Sequence, residues 1–327
     1  MTTRQPTGWR ASTAPMKLLL VLLFVVWSNS FTAIKLLRDV FSPAELVLAR
    51  YLPVAVFGAV YLAAVPSRRR ECADIIRSSK LQIIAMGLTG IAGYNYFLYV
   101  GQSEIKPGAA ALLTTLSPLF TLVLAVIFLR EKVPLRRILG IFIALAGLYV
   151  VVRWGRVGLG KAADLAHSDL HYVLITVLAP LCWAIYTIVG KSLLARHSPM
   201  TVTLMSIVVG ALPALAAARR PFFRAVPELE SAHWIALGYL IIMCTVVGFW
   251  VWFAALKRMS ATSVASFVYL NPPFAAAFGS LFFGEEITAL FIAGGTVMLF
   301  GLYLAQGGRE NSQGKAEETT PGPQHFG

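Results

Sequence analysis

Long apolar runs separated by short polar breaks fill the chain from Lys17 to Gln306. The runs lie near residues 16–37, 43–65, 81–101, 107–129, 135–153, 170–190, 200–218, 233–256, 261–283 and 288–306. Each is close to the roughly 20 residues that cross a hydrocarbon core as a helix. None shows the alternation of apolar and polar positions that a membrane-spanning barrel strand requires, and the only other way to satisfy a backbone in lipid is the helix. The pattern predicts an all-α integral membrane protein with ten transmembrane helices. Segments 1–15 and 307–327 are polar and rich in Gly, Pro and Thr, and are expected to be disordered tails. Residues 154–169 are the one break that reads as a connecting loop between two halves.

The halves resemble each other. A shift of 154 residues lays Pro118 on Pro272, Phe120 on Phe274, Glu131 on Glu285, Gly140 on Gly294 and Gly147-Leu148-Tyr149 on Gly301-Leu302-Tyr303. A shift of 156 lays Trp27 on Trp183, Lys35 on Lys191 and Ser42-Pro43 on Ser198-Pro199. Each unit therefore holds five helices, at 16–153 and 170–306. An odd number of crossings delivers the chain to the opposite face, so the second copy is expected upside down, as an inverted repeat.

Composition and charge sharpen this picture. With 57% hydrophobic and 13% charged residues, there is too little polar surface to solvate a soluble protein of 327 residues. The net charge of +13 sits in short loops rather than on one basic face, which excludes nucleic acid as the expected partner. With the amino terminus inside, 18 basic residues fall on the inner side and 9 on the outer, Arg50 being the one within a span. That bias places both termini in the cytoplasm, although Arg219, Arg220 and Arg224 run against it in an outer loop. Residues 18–27 have the look of a signal peptide core, but apolar character resumes through Phe31 and Leu37, so this segment reads as the first span. Cys72, Cys182 and Cys244 are far apart and suggest neither disulfide nor metal site.

Several motifs carry a resemblance to a known family. The first span reads Trp27-Ser28-Asn29-Ser30-Phe31 through to Lys35. The fourth and fifth read Pro107-Gly108-Ala109-Ala110-Ala111, Ser117-Pro118, Arg130-Glu131-Lys132 and Gly140 to Gly147. The later copy reads Ser263 to Phe267, Tyr269-Leu270-Asn271-Pro272, Gly284-Glu285 and Gly294 to Gly301. The sequence resembles the drug/metabolite transporter superfamily, in particular its EamA-domain carriers. The resemblance implies a cell inner membrane carrier of a small organic metabolite, often an exporter of amino acids, working by alternating access between two inverted repeats. It implies no cofactor and names no cargo.

Polar and aromatic side chains inside apolar spans mark the expected cavity, because an unpaired polar group in lipid is costly. The candidate shell is Trp27, Asn29, Tyr94, Asn95, Tyr99, Ser117, Trp183, Tyr186, Trp250 and Asn271. Removing the ring of Trp183 or Tyr99 is expected to weaken transport and leave folding intact. Pro118, Pro272 and Pro273 fall in mid-span and would release the carbonyls of Thr114, Val268 and Tyr269, making candidate hinges. Lys35 and Lys191 at matching span ends read as snorkelling side chains, and Arg50 is deeper, with Glu45 or Glu104 as candidate partners. Glu131 and Glu285 precede helix starts and suit the positive end of a helix dipole. No Asp, Glu or His stands at mid-span near the expected cavity, which points to facilitated diffusion or exchange, or coupling through a peripheral carboxylate, rather than a midplane proton relay. Small residues, Gly87, Gly90 and Gly93, and Gly140, Ala144 and Gly147, permit close helix approach within one chain or between copies, so monomer and homodimer both stand open. An enzyme would need a His and carboxylate constellation at one membrane face, and only the loop residues Asp164, His167 and Asp169 cluster.

Overall fold

A computed structural model describes residues 14–104, 110, 113–154, 167–283 and 289–306. The two tails, most of the 154–169 connector, Pro107-Gly108-Ala109, Ala111 and Gly284 to Glu286 lie outside the described residues.

The described chain is helical, with no strand. In order, it forms α1 (Ala14–Arg38), α2 (Pro43–Ala64), α3 (Pro66–Met86), a π-helical segment (Gly87–Gly93) and α4 (Tyr94–Glu104). There follow α5 (Ser117–Phe128), α6 (Leu135–Trp154), α7 (His167–Leu193) and α8 (Pro199–Ala211). After a short α9 (Arg220–Ala225) come α10 (Ser231–Tyr239), a second π-helical segment (Leu240–Val247) and α11 (Gly248–Arg258). The chain closes with α12 (Ala261–Ala265), a 3-10 turn (Ser266–Leu270), α13 (Asn271–Phe283) and α14 (Ala289–Gln306).

The exterior shows why these residues form helices in lipid. On α1 Leu20, Phe24, Ile34 and Leu37 are buried at helical spacing, while Leu18, Leu22 and Leu36 on the other faces are exposed and equally apolar. Exposed Leu139 and Phe142 on α6 and Ile292, Phe300 and Tyr303 on α14 continue that apolar coat. A water-soluble helix would carry polar residues there. Among the described residues six helical stretches are long and apolar enough to cross a membrane, and Ser117–Phe128 and Ile292–Ala305 are shorter apolar helices.

Two features depart from the sequence expectation, and a third settles where one glycine stripe packs. The third span follows a polar helical arm in the stretch Pro66–Ser103, the two meeting at a kink at Ser79 (φ −145°, ψ 26°), so residues 66–78 are helical rather than a loop. Hydropathy alone does not detect a helix that continues into polar sequence. Second, Pro118, Pro272 and Pro273 are not inside unbroken helices. A turn at Thr115-Leu116 precedes α5, the 3-10 turn precedes α13, and the prolines fall in the first turn of the new helix, where the missing N–H has no helical partner to lose. Third, the glycine stripe of α6 is occupied inside the chain. A Cβ on Gly140 would lie 2.5 Å from the Ala305 nitrogen and 2.6 Å from the Gly301 carbonyl, and one on Gly147 would lie 2.6 Å from the Gly294 carbonyl. So α6 and α14 run antiparallel with backbones in contact, Gly140 against Gly301 and Gly147 against Gly294.

Other helix pairs join the earlier and later parts of the chain: α2 packs on α8, α4 on α7, α5 on α12, and α1 on α10 and α11. Charged side chains fasten these seams at helix ends. Arg130, at φ 51°, ends α5 in the left-handed region, and the Glu131 N–H returns to the Ala125 carbonyl. The Glu131 carboxylate then accepts from the Ala261 N–H and the Thr262 hydroxyl, both at 2.9 Å, at the start of α12. Glu131 thus caps a distant helix rather than the one that follows it. Glu71 does the same for α8, accepting from the Ser198 N–H and the Thr201 hydroxyl, both at 2.5 Å. Lys191 does not snorkel: its Nζ donates to the carbonyls of Leu256 and Met259 at 2.5 and 2.7 Å, closing the end of α11. Buried Arg137 donates to the Ala305 carbonyl and the Ser260 hydroxyl. Glu131→Ala is expected to cost about 1–2 kcal/mol, the usual scale for a lost helix cap, read as a lower thermal midpoint of the purified protein.

Candidate functional site

The geometry is built outward from Arg50, about two turns into α2 and 6% exposed. Its Nε donates to the Thr245 hydroxyl at 2.8 Å, and its Nη1 donates to Asn95 Oδ1 at 3.2 Å and to the Tyr99 hydroxyl at 3.0 Å. Tyr51 places its ring 5.0 Å from the guanidinium. Glu45, one of the two candidate carboxylates, does not answer it. Glu45 is committed to its own helix start, accepting from the Ser42 N–H and hydroxyl at 2.9 and 2.7 Å, and the Glu104 side chain lies outside those described. Among the described residues no acidic side chain forms an ion pair with Arg50.

The partners of Arg50 come from the two π-helical segments or sit beside them. Under the 154-residue shift, 87–93 falls on 241–247, so the wide turns occupy matching places. A π turn loosens the regular hydrogen-bond ladder and leaves carbonyls for side chains. The Asn95 amide donates to the Ile91 carbonyl at 2.9 Å, and the Thr245 hydroxyl donates to the Leu240 carbonyl at 2.8 Å. The Trp27 indole donates to the Cys244 carbonyl at 2.9 Å. These bonds fix the polar atoms that face Arg50 and the ring that faces the space beside it.

That space is a partly open cavity, with about 590 Å³ of space between atoms when the open solvent at its mouth is included. Arg50, Asn95, Ser117 and Asn271 supply its polar lining, and Trp27, Tyr94, Trp183 and Phe249 its aromatic walls. Trp183 is central to these rings: Tyr94 lies 5.0 Å away, Trp252 5.2 Å, Tyr186 5.3 Å, Trp27 5.5 Å and Phe249 5.7 Å. The helix breaks open directly onto it, through Thr114 and Ser117 on one side and Val268 and Asn271 on the other. Asn271 is held at 3.0 Å from the Ser28 hydroxyl, and Ser117 Oγ has no partner among the described residues. No described acidic side chain lines the cavity.

Of the residues expected from sequence, Trp27, Tyr94, Asn95, Ser117, Trp183 and Asn271 line this cavity together. Tyr99 stands behind the lining, bonded to Arg50, and Tyr186 backs Trp183 with its hydroxyl 3.2 Å from Ser206. Asn29 is not part of the lining. Trp250 is 48% exposed on the outer surface, as is its counterpart Tyr96 at 45%. Tyr96 is two positions along its helix from the wall residue Tyr94 and Trp250 is one position from Phe249, which turns both rings away from the cavity and toward lipid. Among the lining residues outside the sequence-derived shell, Arg50 matters most. A lone arginine in an apolar span was its signal.

The sequence pattern of the EamA-like transporter family matches this chain twice, over residues 15–153 and again over 170–306. The chain belongs to the EamA-like transporter family. Each half of this EamA-like protein contributes to the cavity, the first match through Arg50 and Asn95 and the second through Trp183 and Asn271. Similar proteins include an uncharacterized transporter of Archaeoglobus fulgidus, 26% identical over 88% of this chain and 97% of that one. A probable terminal-alkyne amino-acid exporter of Streptantibioticus cattleyicolor is 29% identical over 93% and 96%. A probable amino-acid metabolite efflux pump of Salmonella typhimurium is 27% identical over 88% and 93%. One solved crystal structure superposes with a TM-score of 0.66 over 91% of this chain and 97% of that one, at 18% identity, a likeness of fold alone. Family and relatives are transporters, and the apolar coat of the helices agrees with a membrane protein.

Proposed function

We propose that this protein is an inner-membrane exporter of amino acids or related small metabolites, working by alternating access. The reading gives it ten transmembrane helices in two inverted five-helix repeats, 16–153 and 170–306, with both termini in the cytoplasm. The observation that carries it is the cavity with a polar centre and aromatic walls, to which both halves contribute. Supporting it, the family pattern repeats at the expected places, and the pairing of Gly140 with Gly301 and Gly147 with Gly294 is reciprocal under the 154-residue shift, as a local two-fold axis in the membrane plane requires. The relatives from Streptantibioticus cattleyicolor and Salmonella typhimurium, a probable terminal-alkyne amino-acid exporter and a probable amino-acid metabolite efflux pump, support the substrate class.

In this mechanism Trp27, Tyr94, Asn95, Ser117, Trp183 and Asn271 contact the cargo, and Tyr99 and Tyr186 position the residues that do. The breaks before α5 and α13 serve as hinges. Pro118, Pro272 and Pro273 make each break stable by starting a helix that cannot fuse with the preceding one. The carrier moves its cargo down a gradient, by exchange or by coupling through a peripheral carboxylate, in keeping with a cavity that has no carboxylate among its described lining residues.

Counterflow into proteoliposomes tests this reading. Vesicles preloaded with an unlabelled amino-acid mixture should accumulate a labelled amino acid transiently and saturably, whereas protein-free vesicles should not. Flux of none of the twenty amino acids, or single-channel currents from the same preparation, would overturn it.

A further inference from the structure

We infer that Arg50 is the specificity-determining residue of the cavity: it binds the carboxylate of a monocarboxylate solute whose apolar body lies against Trp27 and Trp183. This rests on the transporter reading above and deepens it.

A guanidinium presents five N–H donors in a planar fork. In Arg50 three bonds, all to neutral oxygens, use Nε and Nη1, and Nη2 makes no hydrogen bond with any described residue. The group is nevertheless buried and lines the cavity. A charge held this way inside a membrane protein keeps its full demand for a counter-ion, because hydroxyl and amide oxygens supply dipoles but no opposing charge. Tethering by α4 and the second π-helical segment also prevents the side chain from snorkelling to a headgroup.

An anion entering the cavity therefore meets the one positive group among the described lining residues, with the Ser117 hydroxyl and the Asn271 amide as further polar atoms. A carboxylate matches the free face of the fork, and a charge-assisted hydrogen bond away from bulk water is roughly twice as strong as a neutral one. The aromatic walls define the rest of the solute. Trp27 is pinned to the Cys244 carbonyl and stands edge-to-face with Trp183 at an interplanar angle of 86°, which leaves rigid apolar surfaces suited to a ring or branched chain. A dianion would bring one charge more than Arg50 neutralises, and a simple amine would add a like charge beside it.

Thermal stabilisation of the full-length protein by four small probes tests the assignment, since a ligand of the folded state raises the unfolding midpoint. L-Phenylalanine and 3-phenylpropionate should stabilise the protein at concentrations at least ten-fold below those needed for L-phenylalaninamide or 2-phenylethylamine. Arg50→Gln should remove that gap, so that acid and amide act alike, while Arg50→Lys should retain part of it. The comparison of probes on the unaltered protein stands even if Arg50→Gln does not fold. An amide or amine that binds as well as the acids, an acid preference that survives in Arg50→Gln, or no binding by any of the four would each overturn the assignment. The counterflow measurement with all twenty amino acids judges the transporter reading separately, because saturable flux of any of them upholds it whatever the role of Arg50.

Discussion

Gly147→Leu should abolish most of the folded yield of the protein. The seam between α6 and α14 has no side-chain cushion at this point: the first added carbon would stand 2.6 Å from both the Gly294 carbonyl and the Met298 nitrogen. These are backbone atoms of a helix that cannot rotate away without disturbing its own ladder. Overpacking in a tight core costs about 1–3 kcal/mol even where side chains can shift, and a whole leucine against backbone belongs at or beyond the top of that range. In lipid this loss is felt directly, because van der Waals contact replaces hydrophobic exclusion as the force between helices. Gly295→Ala on α14 is the matched control, since a Cβ there meets nothing within 4 Å. It should fold normally and gain up to about 1 kcal/mol from helix propensity. Size-exclusion profiles and thermal midpoints of the two variants in detergent check the pair. A monodisperse Gly147→Leu protein with an unchanged midpoint would contradict the close approach.

Trp183→Ala should lower stability and transport together. Five aromatic rings have centroids within 5.7 Å of the Trp183 ring, so truncation leaves a void that rigid neighbours cannot fill. Losses of about 3–5 kcal/mol are typical for removing a buried tryptophan. The sequence alone suggested that this ring could be removed without harm to folding, but it backs the aromatic cluster as well as facing the cavity. Trp183→Phe separates the two roles. It should recover most of the thermal midpoint and still show a several-fold weaker half-saturation in counterflow, because the smaller ring covers less of the solute. Wild-type flux in Trp183→Ala would remove this ring from the site.

The helices themselves were legible because lipid imposes one requirement, a run of apolar residues of sufficient length. α1 and α2 lie within two residues of the runs read from the sequence. Polar continuation is invisible to that requirement, which is why residues 66–80 read as a loop. The prolines announced breaks but not their form, since mid-span spacing does not tell a kinked helix from two helices meeting at a first turn. Within the cavity, Trp27 and Trp183 were readable as a pair related by the repeat. Arg50 stood out as an isolated charge, yet its partners Asn95, Tyr99 and Thr245 come from residues 45, 49 and 195 positions away. Only folding brings them together. The wide turns that set up Asn95 and Thr245 have no distinctive composition, and π-helical geometry follows from packing more than from local propensity. Trp250 shows the reverse: its type suited a cavity wall, but its place on the helix turned it to lipid.

The polar arm ahead of the third span has a consequence at the membrane surface. Non-helical backbone at Ser79 separates residues 66–78 from the apolar remainder, which at about 1.5 Å per residue is by itself long enough to cross the roughly 30 Å of a hydrocarbon core. The polar portion must therefore travel through the headgroup zone, and there Arg69, Arg70, Arg77 and Lys80 are exposed. Each such side chain gains about 1 kcal/mol from an anionic leaflet. Phosphatidylglycerol or cardiolipin around the protein then acts as an adhesive for this arm, and through the grip of Glu71 on α8 it braces the neighbouring helix too.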